Sequence, residues 1–119
     1  MVNQRIMSET VFSKIIRREI PADIVYEDDL ILAFNDVQPQ APVHILVIPK
    51  QVIESIAAVT PADQAVLGHL MVKIQQIAAA ANLSKGYRVV TNIGEDGGQS
   101  VSHLHFHILG KRQMAWPPG

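Results

Sequence analysis

The chain has 119 residues, enough for one domain. Its formal net charge of −1 argues against a broad nucleic-acid-binding face, and no apolar run approaches the ~20 residues of a membrane span. It contains no cysteine, which removes disulfides, thiolate zinc sites and a cysteine nucleophile, and a reducing, cytoplasmic setting is expected.

The opening residues MVNQRIMSET lack the apolar core of a secretory signal, and Met7 offers an alternative start. Residues 1–9 are expected to be a flexible extension, and 10–119 a single domain ending in a tail over 111–119. VFSKIIRREIP (11–21) sets Val11, Ile15 and Ile16 at helical spacing, with Pro21 as the stop. DIVYEDDLILAFND (23–36) holds two short β-type runs hinged at Glu27, Asp28 and Asp29, which predicts a hairpin. VQPQAPV (37–43) reads as a loop fixed by two prolines, and HILVIP (44–49) as a buried strand. A short helical turn is expected within 51–58.

TPADQAVLGHLMVKIQQIAAAANL (60–83) predicts the longest helix. Thr60 can cap it, Pro61 suits its first position, and Asp63 sits near the positive end of the dipole. Val66, Leu67, Leu70, Met71, Ile74, Ile77, Ala78 and Ala81 form one apolar stripe. Val72 lies outside that stripe and hints at a second contact. GYRVVTNIG (86–94) and VSHLHFHILG (101–110) alternate as strands around the turn-forming EDGGQS (95–100). This order predicts an α+β domain with helices on one side of an antiparallel sheet.

Three of the five histidines fall in HLHFH (103–107). Side chains two apart on a strand share a face, so His103, His105 and His107 point one way and Leu104, Phe106 and Ile108 the other. Three readings stand at this point. The row is a polar strand face, a set of metal ligands, or an acid–base and nucleophilic apparatus. No carboxylate is interleaved to complete a metal shell. Just upstream, Gly97 and Gly98 allow close backbone approach, and Gln99 and Ser100 add donors, so the loop can cradle an anion. An anion cradle beside a row of imidazoles favours phosphoryl transfer.

HLHFHIL fits the signature of the histidine triad (HIT) superfamily. GGQSVSHLHFHILGKRQ, NDVQPQAPVHILVIPK, IIRREIPADIVYEDD and the terminal MAWPPG resemble its histidine triad nucleotide-binding branch, over about residues 10–119. The resemblance implies a HIT-like fold, with a five-stranded antiparallel sheet and two helices. It also implies a homodimer that continues the sheet to ten strands, with the tail at the interface.

The implied activity is hydrolysis of purine nucleoside 5′-phosphoramidates and aminoacyl-adenylates through a covalent nucleotidyl-histidine, with no metal and no cofactor. The partners implied are an AMP- or GMP-type ligand and a second copy of the chain, without nucleic acid or membrane. His105 matches the nucleophile, His107 the group beside the phosphate, and His103 the support behind it. Ser100 matches a donor near the scissile bond. His44, which alone reads as a polar group at a strand start, matches the network next to the triad. Asp36, alone a turn carboxylate, matches the acceptor of the ribose hydroxyls. Asn92 and the backbone around Gly98 and Gln99 match phosphate contacts. Val11, Phe12, Ile15, Phe34 and Val37 match the base pocket, with Asn35 on its rim. Trp116 matches a tail residue that reaches the partner's site. His69 reads as structural or exposed. Lys111 departs from the glycine common in relatives. Two other readings are a dinucleoside polyphosphate hydrolase of the same superfamily and a nucleotide-binding scaffold with little catalysis.

Overall fold

The computed structural model describes residues 9–119. Met7 and all but the last residue of the expected N-terminal extension lie outside the described residues.

Helix α1 spans Val11–Ile16. The Thr10 hydroxyl accepts from the Ser13 amide, and the Ser13 hydroxyl sits 2.8 Å from the Thr10 amide, so each end of the first turn caps the other. The helix is shorter than its apolar spacing predicted. Arg18 adopts a left-handed φ of 64°, which turns the chain before Pro21 is reached. The strands follow as β1 Ile24–Glu27, β2 Ile31–Asn35, β3 Val43–Pro49, β4 Tyr87–Val90 and β5 Phe106–Gly110. They form one antiparallel sheet in the order β1-β2-β3-β5-β4. Helix α2, Gln64–Ala80, joins β3 to β4. Its expected first turn is a separate 3-10 turn, Pro61–Asp63, reciprocally capped by Thr60 and Asp63.

Alternation along the strands divides the interior in two. Ile31 and Ala33 of β2, Ile45 and Val47 of β3, and Phe106 and Ile108 of β5 pack with Leu70, Ile74 and Ile77 of α2. Leu32, Phe34, Leu46 and Ile48 point the other way and pack with Phe12 and Ile15 of α1. The helices therefore sit on opposite faces of the sheet, not on one side as their order predicted. Each of these Val, Leu, Ile and Phe side chains stabilises the fold by about 1.5–3 kcal/mol through burial.

Val66, Leu70, Ile74, Ile77 and Ala78 are buried as the stripe predicted, but Met71 joins Val72 at the surface, 45% and 54% exposed. The opposite end of the sheet is clipped by Asp28. One of its oxygens accepts from the amides of Leu30 and Ile31, and the other takes bonds from Tyr26 Oη and from His69 Nε2 on α2. Among the described residues no helix is long and apolar enough to cross a membrane.

Strand β5 begins later than predicted, at Phe106. Pairing from both sides runs out there. On one side, the ladder continues only from Val47 to Val43, and Pro49 beyond it has no amide to give. On the other, the Thr91 hydroxyl donates to the His105 carbonyl in place of a backbone amide, at 2.8 Å. His103 and His105 thus stand on an extended segment ahead of the strand, and His107 on the strand itself.

Candidate active site

The segment carrying the histidines is fastened by its own side chains as well as by backbone. The Leu104 amide donates to the Ile53 carbonyl, and His103 Nε2 lies 2.8 Å from the Pro49 carbonyl. Leu104, Phe106 and Ile108 are buried in the α2-side core, as alternation predicted. The imidazoles turn to the α1 side. Phe12 meets His105 edge-on at 4.9 Å between ring centroids and His103 at 6.0 Å.

Hydrogen-bond partners fix the tautomers, because a carbonyl only accepts and an amide N–H only donates. His105 Nδ1 lies 2.7 Å from the His103 carbonyl, so Nδ1 carries the proton and neutral His105 has its lone pair on Nε2. The Gln40 amide donates to His44 Nδ1 at 3.0 Å, so the His44 proton is on Nε2. That proton faces His107 Nδ1 at 2.8 Å and, at 3.4 Å, Asp36 Oδ2. His107 Nδ1 is then the acceptor, and its proton moves to Nε2, a buried atom without a partner among the described residues. The result is one directed chain, Gln40 to His44 to His107, ending in an uncommitted N–H.

Burial favours the neutral form of three of the imidazoles, His107, His44 and His103. Burial, then the neighbouring His105 and His44 rings, push the His107 pKa down to about 4, against an upward pull from Asp36. Burial also lowers His44, opposed by Asp36, and lowers His103, opposed by its bond to Pro49. His103 is fully buried, and its Nδ1 has no partner among the described residues.

A pocket of about 360 Å³ opens beside these groups. His105, His107, Ser100 and Asp36 line it, together with Val11, Phe12, Ile15, Phe34, Asn35 and Val37. Sequence reasoning placed all of these in one site, and the fold brings them together. His44 and His103 stand behind the lining rather than in it. Gln99 does not line the pocket. Its amide holds the loop together by donating to the carbonyls of Glu54 and Val101 and accepting from the Gly94 amide. Gly98 sits at φ +75° in the same turn, and a Cβ on Gly97 would lie 2.3 Å from the Ile93 carbonyl, so both positions require glycine. Asn92 also lies outside the lining. Trp116 is 82% exposed on the tail and does not line this pocket.

Several participants were not read from the sequence. Leu46, Ile20, Pro21, Ala22, Gln38 and Val101 complete the pocket wall. Thr91 and the Gln40 amide act through single hydrogen bonds that no motif announces.

Asp36, His44 and His107 also bring one carboxylate and two imidazoles within 4.8 Å of one another, the composition of a metal-ligand set. The donor chemistry argues against that use. With the Gln40 amide on Nδ1, the nitrogen of His44 that faces the cluster is protonated and has no lone pair for a metal.

The HIT domain matches this sequence over residues 17–114, which includes all the histidines described. The chain belongs to the HIT domain family. An uncharacterized HIT-like protein of Synechococcus elongatus is 65% identical over 114 residues, covering 95% of this chain and all of the relative. Among solved structures, a HIT family hydrolase from Legionella pneumophila superposes with a TM-score of 0.91 at 48% identity, covering 93% of this chain and 100% of that one. A histidine triad nucleotide-binding protein from Candida albicans reaches a TM-score of 0.82 at 28% identity, covering 92% and 83%. The five-stranded antiparallel sheet with its two helices is the HIT fold.

Proposed function

We propose that the chain is a nucleoside phosphoramidase of the histidine triad nucleotide-binding branch. The observation that carries this reading is the pairing of two complementary nitrogens on one pocket. His105 offers a lone pair on Nε2, while His107 offers a proton on Nε2. The names of the Legionella hydrolase and the Candida nucleotide-binding protein agree with a hydrolase that takes a nucleotide.

In this reading the purine lies among Val11, Phe12, Ile15, Phe34 and Val37, and Asp36 accepts from the ribose hydroxyls. His105 Nε2 attacks the α-phosphorus of a nucleoside 5′-phosphoramidate. As the N–P bond to His105 forms, the P–N bond to the amine breaks, and the amine leaves with a proton supplied from the Ser100 side. His107 Nε2–H donates to a phosphoryl oxygen as charge builds there. Asn92 and the 98–99 backbone assist on the phosphate side, and His103 holds the proton on His105 Nδ1 through its carbonyl. Water then attacks phosphorus, its hydroxyl stays on the nucleotide, its other proton returns to the Ser100 side to replace the one given to the amine, and His105 leaves with the lone pair restored. The net reaction adds one water across the P–N bond and calls for no metal or cofactor.

The partner in this reading is a second copy of the chain. Strand β4 is an edge with Tyr87 and Val89 on it 40% exposed, and Met71 and Val72 on α2 are exposed as well, apolar surface suited to a partner that continues the sheet. The tail 111–119, with Trp116, would then reach the partner's pocket. The soluble, cytoplasmic setting expected from composition belongs to the same proposal.

Adenosine 5′-phosphoramidate incubated with the chelated, metal-free protein tests the reading. Turnover is expected, and quenched samples should carry AMP on the peptide containing His105. His105→Ala is expected to lower kcat/KM by about 10³-fold or more while the melting temperature stays near that of the wild type. Wild-type turnover in that variant overturns the assignment of the nucleophile. Faster hydrolysis of diadenosine polyphosphates than of the phosphoramidate would favour the sister activity.

A further inference from the structure

The loop from 36 to 44 carries both Asp36 and His44 at its ends, and the Asp36 amide closes it on the His44 carbonyl. Inside it, the Gln38 amide donates to Asp36 Oδ1, the Gln40 side chain to the Gln38 carbonyl, and the Gln40 amide to His44 Nδ1. Among the described residues, one side chain from elsewhere bonds to residues 37–42. Arg112 Nε donates to the Gln40 carbonyl at 2.9 Å. Arg112 lies two residues past the end of β5, far from Gln40 in sequence and at the start of the tail. Lys111, at φ 69°, makes the left-handed turn that sends Arg112 back over the loop.

We infer that Arg112 is a positioning residue for the pocket. It pins Gln40, the Gln40 amide selects the His44 tautomer, and His44 in turn selects which nitrogen of His107 bears the proton. The place of the tail after β5 is therefore read out at the pocket as the location of one hydrogen. If Gln40 moves away, the lone pair of His44 Nδ1 loses the donor that distinguishes it from Nε2. Both tautomers of His44 then become available. A His44 protonated on Nδ1 presents a lone pair to His107, which draws the His107 proton to Nδ1 and leaves Nε2 with none to donate. Arg112 touches neither His44 nor the pocket, so it acts only through the loop.

The inference rests on the proposed activity for its kinetic consequence but not for its geometry, and the two can be tested apart. Nitrogen-15 NMR of the imidazoles in the full chain near neutral pH reads the tautomers directly. The wild type is expected to show His44 and His107 each protonated on Nε2. Arg112→Ala is expected to add the Nδ1-protonated forms of both, with His105 still protonated on Nδ1. Arg112→Lys keeps a donor and is expected to restore most of the single-tautomer population. On the phosphoramidate, Arg112→Ala is expected to lower kcat about tenfold and to change KM less than about twofold. Unchanged His44 and His107 signals in Arg112→Ala overturn the inference, whether or not the melting temperature falls. Shifted signals in a protein that hydrolyses no phosphoramidate leave the inference standing and overturn the proposed activity.

Discussion

The two faces of the sheet are built from alternate residues of the same strands, yet they behave as different materials. The α2 face is closed. Ile31, Ala33, Val47, Leu70 and Ile108 are wholly buried, and helix α2 covers them along 17 residues. The α1 face is roofed by a six-residue helix and carries His44, His103, His105 and His107 among Leu32, Phe34 and Leu46. One face stores stability in apolar contact. The other holds its polar groups by assigning each proton a partner and leaves one proton free. Side-chain alternation lets a strand such as β5 serve both, since Ile108 can be sealed while His107 is not.

Substitutions on each side should separate these roles. Leu70→Ala, confined to the closed face, is expected to cost about 3–4 kcal/mol in urea unfolding while molecules that remain folded keep their turnover. A large loss of kcat in folded Leu70→Ala protein would show that the faces are coupled. Acid should act on the other face. The unfolded state takes up protons on these histidines near pH 6.5, whereas folded His107 resists until about pH 4. Stability is therefore complete above about pH 6.5 and is lost as pH falls toward 4, by at most about 3 kcal/mol for His107. Urea melts between pH 7 and 4 measure this, and His107→Asn should flatten the profile.

Smaller effects are expected where single bonds hold the backbone of His105, the proposed nucleophile. Thr91→Val keeps the shape but removes the donor to the His105 carbonyl. It is expected to cost about 1 kcal/mol and to lower kcat a few-fold with little change in KM, and Thr91→Ser should recover both. The smallest effect belongs to Lys111. Its left-handed backbone favours glycine, while its Nζ donates to the Asn82 carbonyl. Lys111→Gly exchanges strain for that exposed bond, so thermal melts should show a gain of about 0.5 kcal/mol with turnover unchanged.

Much of this arrangement was visible in the sequence because it depends on period. The alternation in HLHFHIL put Leu104, Phe106 and Ile108 on the core side and the imidazoles together on the other. The start of the long helix, with Thr60, Pro61 and Asp63, was equally legible from capping chemistry. Three features were not legible. A short amphipathic segment such as 11–16 states that it has an apolar face but not which side of a sheet that face will meet. The end of a ladder depends on a partner strand, so the start of β5 was decided by Pro49 and Thr91 rather than by its own residues. The Gln40 amide that orders His44 is backbone, and backbone bonds leave no residue-type signature. Gln99 shows the converse, a polar side chain beside a glycine pair that read as a ligand contact and that the fold uses to tie its own loop.

Helix α1 has one further consequence. Isolated helices shorter than ~12–15 residues are marginal in water, so six residues capped by Thr10 and Ser13 persist only while Phe12 and Ile15 stay docked on Phe34 and Leu46. The wall of the pocket that holds Phe12 over His105 is therefore expected to open as a local unit, at a lower free energy than the sheet beneath it. Gentle warming should dissolve that wall, and with it the affinity for the proposed nucleotide, while the five strands are still intact.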